Sequence, residues 1–599
     1  MKKHLITSAI PYVNGVKHLG NLIGSMLPAD VYARYRRQAG QLDGSQTLFI
    51  CGTDDHGTPV EIAAQKENTP VADFVKYWHN FQEEIYTRFG LSFDHFGSSS
   101  SRQNRVLTQH FAKKLLDAGL IDVRSQTMLF SKVDDRFLPD RYVEGTCPVC
   151  AYPKARGDQC DNCGSVLDPV DLINPYSTIS GSRELELRET KHLYLKQSQL
   201  VPQLRTWIDA QTWPNLSKSI AYKWLDEGLE DRGITRDIKW GVPVPPEIFG
   251  DDFAGKVFYV WFDAPIAYIA ATREWADKQG FTDDAWREDW WYGNDNVHYT
   301  EFMGKDNVYF HTLSFPATLI GSGEPWKKVD SLKSFNWLTY YGGKFSTSMG
   351  VGIFTDTALE LLADIPNGAD YWRYYLLARA PESDDSAFTW PDFQAVVNKD
   401  LADVLGNFIN RTLQLTHKHF GTTIPVFGEA TDADMALAAK MNDILARYTA
   451  HMENSEIRKS VEALRELWVA GNEYLATQEP WHAVKTDKAR AGSILNIAIN
   501  TIILYARAMA PLCPFSAARI MELFPELATP LSQPLSTVPL ASGLPSTLHT
   551  PWPWPQSLKS FQQSLPALTH FTLPAGVIFP KISDEQIAEW EARFGNQKV

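Results

Sequence analysis

The sequence predicts an α/β protein that begins with a doubly wound parallel sheet and ends in an all-helical bundle. Strand and helix signals alternate from the N-terminus, whereas long helical periodicities replace them from Trp390 onward. Four cysteines grouped between residues 147 and 163 indicate a small metal-binding unit. Because 599 residues exceed what one hydrophobic core normally serves, we expect several structural units in the chain.

The composition is that of an ordinary globular protein. Hydrophobic residues make up 44% and charged residues 21% of the chain, which excludes wholesale disorder, a fibrous repeat and a polytopic membrane protein. Acidic residues outnumber basic ones by 71 to 57, for a net charge of −14, so the surface as a whole is not a non-specific nucleic-acid binder. Any phosphate-bearing partner must therefore meet a local basic patch.

The apolar segments favour a cytoplasmic protein that does not enter a membrane. The apolar run at residues 4–10 ends at Pro11 and is too short for the core of a signal peptide. The most apolar stretch, residues 493–512, contains two asparagines and an arginine, which is typical of a buried helix rather than of a membrane span.

The N-terminal segment predicts strand, loop, helix and strand in that order. Residues 4–10 and 46–51 are short apolar runs, and residues 18–38 between them carry apolar side chains at helical spacing. A parallel sheet binds ligands beyond the carboxyl ends of its strands, where the loops at residues 11–15 and 52–57 fall. The two loops therefore predict one shared ligand crevice.

The head of the predicted helix, His18-Leu19-Gly20-Asn21, allows two interpretations. A helix N-terminus presents free amides and a positive dipole end to phosphate, and a glycine lets a nucleotide approach the backbone. Taken alone, the tetrapeptide equally fits a surface N-cap. The two commonest nucleotide fingerprints, G-x-G-x-x-G and G-x-x-x-x-G-K-[ST], do not occur in the sequence.

Two C-x-x-C hooks predict a structural zinc site, with Cys147 and Cys150 in the first hook and Cys160 and Cys163 in the second. Nine residues separate the hooks, an arrangement typical of zinc knuckles, in which each hook supplies two thiolates to a tetrahedral metal. The alternatives are two disulfides or reduced surface thiols. Four thiolates leave no open coordination position, so the single zinc is expected to be structural rather than catalytic.

Seven motifs occur in a fixed order between about residue 4 and about residue 515. They are residues 7–21 (TSAIPYVNGVKHLGN), 52–57 (GTDDHG), 137–141 (FLPDR), the four-cysteine group at 147–163, 234–237 (ITRD), 259–265 (YVWFDAP) and 305–311 (KDNVYFH). Together they resemble the class I aminoacyl-tRNA synthetases, and specifically the methionyl-tRNA synthetase family.

The resemblance implies a split Rossmann-type sheet with a zinc-knuckle insert, followed by an anticodon-binding bundle. The expected units are the first half of the catalytic domain at residues 1–115, the connective insert at 116–225, the second catalytic half at 226–325, a connecting fold at 326–388, the helical bundle at 389–524, and a proline-rich linker with a tail packing back on the body at 525–599. No residues are left over for the appended domain that dimerises some relatives, so we expect a monomer.

The resemblance also implies two substrate sites. The positions matching the methionine pocket, whose aromatic character suits a polarizable thioether, are Ile10, Tyr12, Trp261, Ala264, Pro265, Tyr268 and His311. Asp54 matches the residue that pairs with the substrate α-ammonium. The positions expected to bind ATP, together with Mg²⁺, are His18, Gly20, Asn21, Lys344, Thr347 and Ser348. His18, Asn21 and Lys344 are the expected catalytic residues.

The second signature loop departs from the family's usual Lys-Met-Ser-Lys-Ser. Residues 344–350 read KFSTSMG, so one lysine stands where many relatives have two or three cations. The departure concerns the rate of adenylate formation more than the identity of the reaction.

The helical part carries the expected contacts to tRNA. Residues 393–408 keep apolar side chains at three- and four-residue spacing, and Asn407 and Arg411 lie one turn apart on the polar flank. The resemblance implies that Asn407, Arg411 and Trp481 contact the anticodon. An exposed tryptophan beside amide and guanidinium donors suits an unstacked RNA base, although Trp481 by itself also fits a core or hinge aromatic.

We therefore expect a methionine–tRNA ligase that activates L-methionine with ATP and transfers it to the 3′ end of tRNA(Met). Two alternatives stay open. The first is a synthetase for leucine, isoleucine or valine, although the enzymes of that group have longer chains with a separate editing domain. A paralogue that binds tRNA or methionine without making aminoacyl-tRNA is motivated by Thr347 and Met349.

Overall fold

The computed structural model describes residues 2–139, 142–157, 160, 162–163, 165, 167–281, 284–292, 295–345, 350–525 and 569–595. In chain order its strands are β1 Lys3–Ser8, β2 Gln46–Thr53, β3 His95–Ser98, β4 Ile121–Ser131, β5 Arg136–Phe137, β6 Val143–Thr146, β7 Ala155–Arg156, β8 Ile173–Ser177, β9 Leu185–Leu195, β10 Arg232–Gly233, β11 Thr235–Arg236, β12 Val257–Phe258, β13 Val297–Gly304, β14 Ser331–Phe335, β15 Leu338–Tyr340, β16 Gly343–Lys344 and β17 Ser386–Phe388.

The helices, again in chain order, are α1 Leu19–Asn21, α2 Leu27–Asp43, α3 Thr58–Lys66, α4 Val71–Arg88, α5 Arg102–Asp117, α6 Val201–Asp209, α7 Asn215–Glu227, α8 Pro246–Phe249, α9 Val260–Asp263, α10 Ala267–Lys278, α11 Ala285–Trp290, α12 Phe315–Gly321, α13 Thr355–Leu361, α14 Gly368–Ala378, α15 Trp390–Val397, α16 Asn407–Phe420, α17 Asp432–Glu453, α18 Ile457–Gln478, α19 Pro480–Thr486, α20 Lys488–Met509, α21 Pro514–Met521 and α22 Asp584–Phe594. Segments Leu22–Met26, Phe310–Ser314 and Asn398–Gly406 are π-helical.

A five-stranded parallel sheet with the order β14-β13-β1-β2-β3 forms the centre of the N-terminal half. Leu5 of β1 lies opposite Leu48 of β2 on one side and Tyr299 of β13 on the other. After β1 the chain adds β2 on one side of β1, and much later it adds β13 on the other side. Ligands therefore have a crevice at the carboxyl ends of β1 and β13, and the predicted doubly wound class is confirmed.

The second strand runs further than the sequence predicts. β2 includes Gly52 and Thr53, which the motif analysis places in a loop. A β-carbon on Gly52 would lie 2.5 Å from the carbonyl oxygen of Gly97 in β3, so glycine permits the close approach that extends the strand pair.

Besides the short antiparallel pair β11–β12, two smaller sheets lie between β3 and β13 in sequence and split the parallel sheet into two halves. One has the order β10-β9-β4-β5 and contains the long antiparallel pair β4–β9. The other has the order β7-β6-β8, and the first cysteine hook directly follows β6. The expected split sheet with an insert is therefore present, while the boundaries between the units stay predictions.

The C-terminal part is helical, as its periodicity predicts. Residues 393–408 do not form one regular α-helix, because the π-helical segment Asn398–Gly406 separates α15 from α16. Among the described residues α20 is the one helix long and apolar enough to cross a membrane, and 89% of its apolar window is buried inside the protein. It is therefore a core helix of the bundle.

The C-terminal tail lies against the body of the protein. Trp590 of α22 contacts Trp390, with 5.2 Å between ring centroids, and the Tyr371 hydroxyl donates to the Pro580 carbonyl at 2.7 Å. Most of the expected proline-rich linker, residues 526–568, lies outside the described residues.

A buried ion cluster joins α2, the helix that follows the first signature, to the bundle. Asp30 pairs with Arg34 at 2.9 Å and with Arg373 of α14 at 2.8 Å. Arg373 also donates to the carbonyls of Leu512 and Pro511, just beyond α20. Burial alone would raise the pKa of Asp30, but the two guanidinium groups outweigh it and the pKa is lowered. The position of α2 is thereby tied to that of the bundle.

Candidate active site

The first signature forms a capped helix start at the edge of the ligand crevice. The Asn21 backbone N–H donates to His18 Nδ1, and the His18 backbone N–H donates to Asn21 Oδ1, each at 3.2 Å. Because Nδ1 accepts a hydrogen bond, the neutral ring carries its proton on Nε2. Burial, reinforced by Lys17, lowers the pKa of His18 to about 4. At neutral pH His18 therefore offers an uncharged N–H donor.

The second signature packs directly on the first. The rings of Phe345 and His18 stack with centroids 4.8 Å apart, and the Leu19 N–H donates to the Ile353 carbonyl at 3.0 Å. Gly352, at a φ of +108°, leaves room for Phe345, since a β-carbon at this position would overlap the phenylalanine ring. The stacking and the backbone pairing bring together two motifs that are far apart in sequence.

Lys344 supplies an unpaired positive charge at this junction. Its side chain is exposed, and its ammonium lies 4.5 Å from the centroid of the Trp337 ring. Lys305 lies 4.3 Å from the same ring but pairs with Asp385 at 2.9 Å. In the part of the chain that the structure describes, no carboxylate forms an ion pair with Lys344, although after Lys305 its charge also helps to lower the pKa of Asp385. The expected ATP ligands Thr347 and Ser348 lie outside the described residues.

A cavity of about 280 Å³ lies between the two signatures. Most of the lining residues are absent from the site residues predicted from sequence, among them Asp306, Asn307 and Trp337. Asp306 and Asn307 follow the carboxyl end of β13, so the rule for ligand sites in parallel sheets could have found them, whereas Trp337 has no such signal. The lining residues that the sequence does predict are Ile10, His18, Gly20, Asn21 and Lys344.

The residues expected to hold methionine form an uncharged group next to this cavity. Trp261 Nε1 donates to the Tyr12 hydroxyl at 3.0 Å. His311 Nδ1 donates to the carbonyl of Asn307 at 2.9 Å, which leaves Nε2 to accept from the Tyr268 hydroxyl at 2.9 Å. Burial lowers the pKa of His311 to about 4 and raises that of Tyr268 well above its usual value. Both side chains are therefore neutral at pH 7.

Ile10, Ala264 and Pro265 lie around this aromatic group. Ala264 and Pro265 are buried in the turn between α9, which contains Trp261, and α10, which contains Tyr268. The backbone of Ile10 lies close to the Tyr268 hydroxyl. The seven expected pocket residues thus come from three separate segments, near residues 10, 264 and 311.

Asp54 belongs to a buried acidic group at the end of β2. It forms an isolated parallel bridge with Tyr12, and its Oδ1 is buried without a hydrogen-bond partner among the described residues. Burial, together with Asp263 and Asp55, raises the pKa of Asp54 well above its usual value, and Lys17 opposes this only in part. A buried carboxylate oxygen without a partner is a position that a cationic ligand would complete.

The four cysteines converge on one point. Cys147 Sγ lies 3.9 Å from Cys163 Sγ, Cys150 Sγ lies 3.6 Å from Cys160 Sγ, and all four sulfurs lie within 4.8 Å of one another. These separations are too long for disulfides. Four sulfurs each about 2.3 Å from a tetrahedral metal would be separated by about 3.8 Å, so the cluster has the dimensions of a zinc site.

In the bundle, Arg411 and Trp481 lie together on the surface. The Arg411 guanidinium carbon is 4.9 Å from the Trp481 ring centroid, and both line a cavity of about 550 Å³. Asn407 is exposed one turn before Arg411 but does not line this cavity. Gln414 and Lys418, also on α16, do line it and are missing from the prediction, although their spacing from Arg411 places them on the same helix face.

Two family models match the chain. The model described as "tRNA synthetases class I (M)" matches residues 4–413. The model described as "Anticodon binding domain of methionyl tRNA ligase" matches residues 424–530 and 522–599. The two matches meet close to the point where α16 ends and the remaining bundle helices begin.

Curated relatives match the chain along nearly its whole length. The methionine–tRNA ligase of Caulobacter vibrioides (strain NA1000 / CB15N) is 53% identical over 601 residues, covering 99% of this chain and 100% of the relative. The methionine–tRNA ligase of Streptomyces avermitilis is 52% identical over 602 residues, covering 99% of each. Methionyl-tRNA synthetase of Mycobacterium tuberculosis, in a crystal structure bound by methionyl-adenylate, shares the fold with a TM-score of 0.70 at 21% identity, covering 97% of this chain and 100% of that one.

Proposed function

The chain belongs to the methionyl family of class I tRNA synthetases, and we propose how its residues carry out the reaction of that family. It is a methionine–tRNA ligase. The observation that carries this function is the match of 53% identity to a curated ligase over 99% of the chain. The geometry supports it, because a neutral aromatic pocket beside a carboxylate with one unpartnered oxygen adjoins the cavity between the two signatures.

Activation of methionine requires positioning and charge stabilisation rather than a general base. The methionine carboxylate is already ionised at neutral pH, so it attacks the α-phosphorus of ATP in line, and pyrophosphate leaves with the bonding electrons. The terminal ribose hydroxyl of tRNA then attacks the carbonyl carbon of the adenylate, and AMP leaves. The protein lowers both barriers by holding the reactants and by placing donors where negative charge develops.

We assign ATP to the cavity between the signatures, with the ligands His18, Gly20, Asn21, Lys344, Thr347 and Ser348. Neutral His18 donates from Nε2, and Gly20 lets the nucleotide come close to the backbone. Lys344 balances the charge that builds on the leaving pyrophosphate, which its lack of a carboxylate partner supports. Mg²⁺ bound to the triphosphate shares that charge.

We assign methionine to the neutral pocket formed by Ile10, Tyr12, Trp261, Ala264, Pro265, Tyr268 and His311. The side chain of methionine is uncharged and polarizable, so aromatic rings and the neutral Tyr268–His311 pair suit it. Asp54 receives the α-ammonium, since it bridges to Tyr12 of the pocket and its buried Oδ1 has no hydrogen-bond partner among the described residues. Together these contacts fix both ends of the amino acid.

The remaining assignments concern the metal and the tRNA. One zinc is held by Cys147, Cys150, Cys160 and Cys163, and it stabilises the β7-β6-β8 sheet without taking part in the reaction. An anticodon base stacks at Trp481, with Arg411 and Asn407 as further ligands. The enzyme acts as a monomer in the cytoplasm on tRNA(Met).

Exchange of pyrophosphate into ATP, measured with single amino acids, tests this proposal. We expect exchange with L-methionine in the presence of ATP and Mg²⁺. Exchange with leucine or isoleucine at a comparable kcat/KM would contradict the assigned pocket. Charging of tRNA with labelled methionine tests the second step, and exchange without charging would contradict ligase function.

A further inference from the structure

The two walls of the proposed methionine pocket come from segments distant in sequence and meet at one arginine. One wall contains Trp261 of α9, and the other contains Phe310 and His311 of the π-helical segment. The hydrogen bond between Tyr268 and His311 joins the helix that follows Trp261 to the second wall. The rings of Trp261 and Phe310 also touch, with 4.8 Å between centroids.

Arg232 lies over this junction of rings. Its guanidinium carbon is 5.0 Å from the centroid of Trp261, 5.0 Å from that of Tyr309 and 5.7 Å from that of Phe310. A single cation thus faces rings from both walls at once. Each distance lies within the range in which a cation is attracted to the face of an aromatic ring.

Arg232 has no carboxylate partner to explain its position. Its Nε is buried without a hydrogen bond, and among the described residues no ion pair forms with it. The neighbouring carboxylate of Asp231 is already engaged by Arg124 and Ser198. The aromatic rings are therefore the main favourable surroundings of this guanidinium.

The backbone of Arg232 is fixed, so its side chain has a rigid origin. Arg232 belongs to β10 and pairs in register with Leu195 of β9. The Tyr309 ring is held from its other end, because Gln197, two residues after Leu195, donates to the Tyr309 hydroxyl at 2.9 Å. The β10-β9-β4-β5 sheet and the residues that follow β9 thus hold both Arg232 and Tyr309 in place.

We propose that Arg232 is a positioning residue that holds Trp261 and Phe310 together and so keeps the methionine pocket formed before the amino acid binds. The inference rests on the proposed function, since it takes this pocket to be the methionine site. A preformed pocket binds more tightly because less ordering is left to the ligand. Arg232 does not line the cavity assigned to ATP and acts through the rings, so its loss should act on methionine affinity and leave the chemistry unchanged.

The test compares Arg232→Met, which keeps a long side chain but removes the charge, with Arg232→Lys, which keeps a charge. In pyrophosphate exchange we expect Arg232→Met to raise the KM for methionine about 3- to 30-fold, the effect of losing a partly desolvated cation–π contact. The dissociation constant for methionine without ATP, from calorimetry, should rise equally. The KM for ATP and kcat should stay within about twofold, and Arg232→Lys should be intermediate.

A matched control and a double variant separate positioning from general damage. Arg205 also lies over a ring, 5.9 Å from the Tyr222 centroid, but away from the pocket, so Arg205→Met should leave the KM for methionine unchanged. In a Trp261→Leu background, Arg232→Met should raise the KM for methionine by a much smaller factor than in the unaltered enzyme.

Several outcomes would overturn the inference while leaving the proposed function intact. The first is an unchanged KM for methionine in Arg232→Met. The second is an equal rise in the KM for methionine and the KM for ATP, together with a lowered Tm. The third is full additivity of the effects of Arg232→Met and Trp261→Leu on the KM for methionine. A rise confined to the KM for tRNA would instead make Arg232 a phosphate ligand. Failure of the unaltered protein to activate methionine would reject the proposed function itself.

Discussion

The buried position of Asp54 makes methionine binding depend on pH in a defined direction. Burial and the neighbouring carboxylates Asp263 and Asp55 raise its pKa, so the empty site holds a proton at pH values where an exposed aspartate would not. The α-ammonium of methionine requires the ionised form. Binding must therefore release this proton, and it becomes weaker as pH falls below the pKa of Asp54.

The size of the expected pH effect follows from the release of one proton for each methionine bound. Below the pKa of Asp54, the KM for methionine should rise about tenfold for each unit of falling pH, which corresponds to about 1.4 kcal/mol per unit. Asp54→Asn keeps the shape but removes both the charge and the proton. It should raise the KM for methionine about 10- to 150-fold, the effect of losing a charge-assisted hydrogen bond of about 1.5–3 kcal/mol, and should abolish the pH slope.

Pyrophosphate exchange at saturating ATP, measured at half-unit steps of pH, provides the assay. The KM for ATP in the same enzyme is the internal control and should not show this slope. Other ionisable groups lie in the same buried region: His56 pairs with Asp263 at 2.6 Å, Asp55 adjoins Asp54, and burial lowers the pKa of Lys17 to about 7. A slope that persists in Asp54→Asn would belong to these groups, and a KM for methionine that is independent of pH in the unaltered enzyme would refute the reasoning.

Three further predictions address the metal, the tRNA and the loop. Elemental analysis should find one zinc per chain, and Cys160→Ser should lose it and loosen the insert while the helical bundle keeps its thermal unfolding transition. Trp481→Ala should weaken tRNA binding about 5- to 150-fold, from about 1–3 kcal/mol per base stack, without changing pyrophosphate exchange. As a control, His482→Ala, at the neighbouring exposed position, should change neither tRNA binding nor pyrophosphate exchange. Equal loss of both activities would make Trp481 structural. Lys344→Ala should lower kcat for activation by about 10²–10³, far more than it raises the KM for methionine, whereas Thr347→Lys should be equal or more active. Near-normal exchange by Lys344→Ala would show that another cation serves the leaving pyrophosphate.

Much of the fold could be predicted because its signals are local. The first strand, the capped helix start and the second strand follow from apolar spacing and from Pro11 within about fifty residues. The cysteine hooks could be recognised because their spacing alone brings each pair of sulfurs close together. The extension of β2 through Gly52 was missed, since it depends on the approach of β3 at Gly97.

The candidate site divides in the same way. The motifs predict His18, Asp54, Trp261 and His311 as site residues, but nothing in them indicated that Arg232 would lie beside Trp261. Trp337 and Lys418 were likewise missed, because a cavity lining depends on which elements pack together.

The sequence by itself determined the fold class, the grouping of the four cysteines and the family to which the chain belongs, since these depend on neighbours along the chain. Only the tertiary structure decided that Phe345 stacks on His18 and that Asp30 joins α2 to the bundle through Arg373. It also decided that the carboxyl group of Asp54 is pushed toward its protonated form. The physical reason is that stacking, ion pairing and pKa depend on distance and burial, which the order of strands in the sheet and the packing of the bundle set together.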